Sequence, residues 1–226
     1  MLKTFVIITT VFFASLSTAA EQTLHQGILQ AYWLPVWRDD GQRNTPELQY
    51  RYFVTKDGDN VEKVINLNVD KKDAGSEQLT RYFSPIPSEF LTWKEGHIER
   101  AGIITVDKLT GTTECDHRYF TAGMKHFSPG DKTAIDTNKI EKKAGCEAFP
   151  WMMTYTLKSG LKNKYFKQQP DSGAKDVQPV TPGTPLVKIK TSSANWIEVA
   201  VRDEDKPGLL GEARGFIQLN DLQPIN

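Results

Sequence analysis

The chain has 226 residues, with 28 lysines plus arginines against 28 aspartates plus glutamates, so its formal net charge is zero. A neutral chain carries no electrostatic footprint for nucleic acid, and charges of both signs interspersed along the sequence are those of a solvated surface. The length suffices for one large domain or two small ones, each with its own core.

Met1-Leu2-Lys3 is a short basic start, Thr4 to Phe13 is mostly apolar and uncharged, Ser17-Thr18-Ala19-Ala20 is small, and Glu21-Gln22 turns polar. That order predicts a secretory signal peptide over residues 1–20, cleaved after Ala20. The apolar run is shorter than the roughly 20 residues that cross a bilayer. No cysteine stands near the cleavage point to carry a lipid, and no later stretch is apolar enough to span a membrane. Export is therefore expected. A soluble chain with one disulfide suits the periplasm, with secretion outside the cell as the other destination.

Strand signals follow. Gly27–Trp33 is apolar and aromatic, Leu48–Val54 alternates over its first half, and Val61–Val69 alternates after Val64. Such period-two patterning turns one face to a core and the other to water. Asp57-Gly58 between the last two runs predicts a hairpin. Ser84-Pro85-Ile86-Pro87 breaks regular structure. A second hairpin is expected from Ile98–Asp107 and Thr112–Ala122, with Lys108–Gly111 as its turn. Lys139–Ala144, stopped by Gly145, is the one stretch after the signal that predicts a helix.

The two cysteines are Cys115 and Cys146. In an exported chain they predict a disulfide, which would tie a short helix or turn to the hairpin strand holding Cys115. Residues 21–157 thus read as a β-rich domain, and the polar stretch Lys158–Lys164 marks the boundary to a second domain over 158–226.

In that second part Leu186–Lys190 and Trp196–Val201 alternate, and a tight polar turn, Thr191–Asn195, joins them. Pro182-Gly183-Thr184-Pro185, Val187-Lys188-Ile189, Asn195-Trp196-Ile197-Glu198-Val199, Gly215-Phe216-Ile217 and Leu222 together resemble the bacterial SH3-like domain family, over about residues 160–226. The family's opening run is matched only in general shape at Tyr165–Asp171, and the connection Arg202–Arg214 is longer than usual. The resemblance implies a small barrel with a shallow groove between its loops. Candidate contacts on that rim are Trp196, Tyr165, Phe166 and Arg202. The aromatics offer rigid contact area, yet core packing is the commoner use of Trp196, and Tyr165 and Phe166 equally suit a seam or a strand. Residues 21–156 resemble no family.

Chemistry is sparse. Cys115 and His117 lie two apart on a predicted strand and so on one face, but disulfide formation competes with any thiolate role. Nothing like HExxH, CxxC, a phosphate loop or a Gly-x-Ser-x-Gly elbow is present. No catalytic residue, metal ligand or cofactor is expected. The aromatic runs Ala31–Trp37 and Phe149–Met153 suit a core more than a docking surface. The sequence therefore predicts an all-β, non-enzymatic envelope protein that binds cell-wall peptide or an envelope protein. Two alternatives stay open: an inhibitor or immunity protein against an envelope-targeted enzyme, and a wall hydrolase with an unrecognised site.

Overall fold

The computed structural model describes residues 21–36, 45–54, 63–69, 76–131 and 135–225. The expected signal peptide, Trp37 and the expected turn at 56–60 lie outside them. The fold is all-β, in two sheets.

The first sheet is a closed barrel of five strands: β1 (Gln22–Leu34), β2 (Glu47–Val54), β3 (Lys63–Asn68), β4 (His97–Glu114) and β5 (His117–Pro129). Neighbours run β1-β2-β3-β5-β4, and β4 returns to β1 to close the ring. All pairs are antiparallel except β3 with β5. Alternation decides what faces inward. Tyr50, Tyr52 and Val54 of β2, Ile65 and Leu67 of β3, and Ile104 and Val106 of β4 fill the barrel, while Arg51 and Phe53 point outward to a different set of partners. β1 slips register between Leu24 and Gly27. At Gly27 the Tyr52 ring takes the place of a side chain, since a Cβ there would sit 2.1 Å from Tyr52 Cζ. That approach lets the Tyr52 hydroxyl donate to Gly102 O at 2.7 Å.

Both expected hairpins are present, with one correction. The β4–β5 turn is not at Lys108–Gly111. β4 continues to Glu114 after a register shift between Asp107 and Thr110, and the chain reverses at Cys115-Asp116, with φ of 47° and 59°. Two central residues at positive φ match the twist of a tight hairpin. Cys115 therefore sits in a turn and not in a strand.

Helix is also more extensive than the sequence suggested. Besides α3 (Thr137–Lys142), capped by Asp136, the chain forms α1 (Ser76–Phe83) and α2 (Ser88–Trp93) between β3 and β4. The Ser84–Pro87 breaker is the joint between them. Each is eight residues or fewer, too short for a helical period to stand out. Their apolar residues, Leu79, Tyr82, Phe83 and Phe90, join the barrel core, and the Tyr82 ring meets Phe127 edge-on at 5.4 Å.

The second sheet has seven strands: β6 (Thr154–Leu157), β7 (Tyr165–Lys167), β8 (Asp176–Pro179), β9 (Leu186–Ser193), β10 (Trp196–Arg202), β11 (Leu210–Gln218) and β12 (Leu222–Pro224), in the order β12-β6-β9-β10-β11-β7-β8. Its core gathers Tyr155, Leu157, Phe166, Leu186, Ile197, Val199, Ile217 and Leu222. β6 lies ahead of residue 158, yet it hydrogen-bonds to β9 and β12.

Residues 135–153 run between the sheets and cover the outer face of β1, β2 and β3. Ile140 packs on Ile28 and Phe53. Phe149 and Met152 pack on Val187 of the second sheet and on Leu209, in the turn that leads into β11. The Cys115–Cys146 disulfide, Cα–Cα 6.2 Å, pins this segment to the tip of the β4–β5 hairpin. A second tie is Glu95, whose carboxylate accepts from Lys188 Nζ, from Thr191 N at 2.6 Å and from Thr191 Oγ1 at 2.8 Å. Among the described residues no helix is long and apolar enough to cross a membrane.

Candidate functional site

β7 alternates across the second sheet. Phe166 is fully buried, whereas Tyr165 on one side of it is 40% exposed. Fully burying a phenylalanine contributes about 1.5–3 kcal/mol, so Phe166 is a fixed core residue and not a contact surface. Trp196 opens β10 directly after the Ser193–Trp196 reversal and lies opposite Gln218 of β11. Because β11 also pairs with β7, Trp196 and Tyr165 are brought to one groove of about 290 Å³.

The groove has a charge on each flank. Lys164 Nζ pairs with Asp221 Oδ2 at 2.7 Å, and Lys167 Nζ pairs with Asp176 Oδ1 at 2.7 Å. Lys167 Nζ also donates to Ala174 O at 3.1 Å. Each flank thus presents an ammonium and a carboxylate beside an aromatic ring. Such a surface can hold a ligand by ring stacking and by hydrogen bonds of both polarities. No histidine or cysteine lines it.

Of the four contact residues expected from the sequence, the structure joins two. Tyr165 and Trp196 share the groove. Phe166 faces inward. Arg202 lies in a separate cleft beside Lys142 and Phe149, and its Nε donates to Glu204 Oε1 at 2.8 Å.

A charged network lies on the covered outer face of the barrel. Arg51, 1% exposed, donates from Nε to Gln30 Oε1 at 2.7 Å and from a terminal nitrogen to Glu141 Oε1. Gln30 Nε2 donates to Glu99 Oε1 at 2.9 Å, and Phe149 N donates to Glu141 Oε1 at 2.8 Å. The guanidinium lies 5.0 Å from the Tyr32 ring centre and 5.2 Å from that of Phe53. Burial pushes the Glu141 carboxyl up, against the pull of Arg51 and the Phe149 N–H. At the edge of this network the His97 ring packs against Trp151, with ring centres 4.3 Å apart and planes tilted by 38°. Burial pulls its pKa down, Glu99 opposes this, and Arg51 adds to it.

The Cys115–His117 pair is not a catalytic dyad in this form, because the Cys115 sulfur is in the disulfide and His117 Nδ1 lies 2.7 Å from Cys115 O. His126 Nε2 lies 2.9 Å from Ser128 Oγ. Among the described residues no group of three or more His, Cys, Asp or Glu side chains could hold a metal ion. The runs crowded with aromatics are mainly interior: Tyr32, Phe149, Met152 and Met153 are buried, and Trp33 Nε1 donates to Phe90 O at 2.8 Å.

Sequence reasoning missed Arg51 and Glu141. The one signal for Arg51 is a charged residue set between aromatics in Tyr50-Arg51-Tyr52-Phe53, where alternation alone makes it a solvent-facing position. The chain matches no family model, no curated protein and no solved structure.

Proposed function

We propose that this chain is an exported, non-catalytic binding protein of the cell envelope, acting in the periplasm, and that the Tyr165–Trp196 groove takes short peptide of the cell-wall type. Wall peptide carries free ammonium and carboxylate groups close together. The observation that carries the reading is an exposed tyrosine beside a tryptophan, flanked by the Lys164–Asp221 and Lys167–Asp176 pairs. Export is supported by the leader-like first twenty residues and by a disulfide, the bond of an oxidising compartment. The resemblance of residues 160–226 to SH3-like domains supports a binding role for the second sheet.

The test is co-sedimentation of the 21–226 chain with purified cell wall. Saturable capture is expected, with Tyr165→Ala and Trp196→Ala each lowering affinity about tenfold while thermal unfolding of Tyr165→Ala stays unchanged. Undiminished capture by both variants would refute this assignment of the groove.

A further inference from the structure

A second cleft, of about 380 Å³, opens between β3, β5 and α3. We propose that it is a binding site for a small organic oxyanion, a carboxylate or a phosphate ester, attached to a flat apolar ring. The site is independent of the Tyr165–Trp196 groove.

The cleft is rich in cations. Arg51, Lys63, Arg118 and Lys143 line the cleft against one lining carboxylate, Glu147. The chain as a whole is neutral, so this is a local concentration of cations. Arg51 is matched by Glu141, and Glu147, whose Oε2 accepts from Asn66 Nδ2 at 2.5 Å, stays charged and offsets one further cation. Among the described residues neither Lys63 nor Arg118 makes an ion pair. Both instead lie over the Phe120 ring, at 5.3 and 5.1 Å from its centre. A cation held over an aromatic face keeps most of its charge for an incoming anion. Concave walls of low dielectric strengthen that attraction.

Its shape suits a small ligand. The volume falls in the range of small-molecule sites, which combine apolar walls with a few polar groups. Phe120, Val64 and Ile140 supply the apolar wall, and the cations mark one polarity of ligand. A concave cleft, in contrast to a basic stripe, favours a compact anion over a strand of nucleic acid.

Its walls are braced. The barrel wall and the α3 wall are fixed to each other by the Cys115–Cys146 bond and by the Tyr119 hydroxyl, which donates to Ala144 O at 3.0 Å. Arg51 is held by Gln30 and Glu141. A preformed site of this kind spends little of its binding energy on ordering its own side chains.

The experiment is calorimetric titration of the disulfide-bonded 21–226 chain with phenyl phosphate, benzoate, inorganic phosphate and benzyl alcohol. One aromatic anion, phenyl phosphate or benzoate, is expected to saturate a single site at least about tenfold more tightly than inorganic phosphate or benzyl alcohol, and to weaken with added salt. Which of the two binds better identifies the anionic group. Arg118→Gln and Lys63→Gln should each weaken binding about fivefold or more, whereas Tyr165→Ala should leave it unchanged. The proposal is overturned if no aromatic anion saturates below about 5 mM. It is equally overturned if inorganic phosphate binds as tightly as the aromatic anions, or if the two cleft substitutions leave the isotherm unchanged.

Discussion

Replacing Arg51 by methionine tests the buried network most directly. The substitution roughly keeps side-chain volume, so cavity formation is a small part of its effect. It removes the donors to Gln30 Oε1, to Glu141 Oε1 and to Glu147 O. Glu141 is 2% exposed and would keep only its bond from Phe149 N. Removing one partner of a buried pair costs about 3–5 kcal/mol, because an uncompensated charge stays behind. Glu141 can limit the cost by taking up a proton, and burial already favours its neutral form. The loss should therefore be smaller near pH 5 than near pH 8, by about 1.4 kcal/mol for each unit of pH over which the carboxyl titrates. For a chain of this size a loss of about 3 kcal/mol lowers the unfolding temperature by roughly 6–12 °C. The assay is urea and thermal unfolding, followed by circular dichroism with the disulfide intact, of Arg51→Met, Glu141→Leu and the double variant. The double variant should regain most of the loss, since apolar pairs replace buried ion pairs at little or no cost. A double variant as unstable as Arg51→Met, or a single variant within 1 kcal/mol of the parent at pH 8, would refute the reasoning.

Further outcomes are expected elsewhere. Replacing both cysteines by serine frees a loop of 31 residues' separation and should cost about 3.5–4 kcal/mol in the chain-entropy model, read from the shift in urea midpoint at constant slope. His97 has a pKa below its ordinary value of 6.5 in the folded state, so the folded protein binds fewer protons there than the unfolded chain. Its contribution to stability is complete above pH 6.5 and is lost as pH falls through the lowered value, and His97→Gln should flatten that part of the pH profile of unfolding. Gly27→Ala would drive a Cβ to 2.1 Å from Tyr52 Cζ, and the fold must displace the ring and its bond to Gly102. Soluble yield should fall sharply, and Tyr52→Ala in the same chain should partly restore it.

The strands were legible because each shows two faces to two environments. Leu48–Val54 and Leu186–Lys190 announce themselves by alternation, and β2 and β9 sit there. The disulfide was legible because a chain with two cysteines offers each of them one partner. The short helices α1 and α2 were not, because Ser76–Phe83 and Ser88–Trp93 are held by the barrel core they plug and not by any periodicity long enough to see. The groove was half legible. Tyr165 and Phe166 are neighbours in sequence and look alike, and only the pairing of β7 with β11 decides which of them faces the core. Arg51 was hidden for a related reason. Period two correctly turns it away from the barrel interior, but a second layer, residues 135–153, then covers it, and no local pattern in β2 reports a layer contributed by sequence ninety residues later.

The position of β6 bears on how this molecule can be divided for study. Thr154–Leu157 sits inside the sheet, between β12 and β9. A fragment cut at residue 158 would lose that penultimate strand, leaving two facing rows of unsatisfied amides and carbonyls on β9 and β12. Raw edges of that sort recruit other chains, so such a fragment should precipitate or swap. Extending it back to Thr154 closes the gap, but strips the barrel's cover of its anchor on Val187 and Leu209 and leaves Lys188 without Glu95. Recombinant work on either half is best done by silencing one surface within the intact chain.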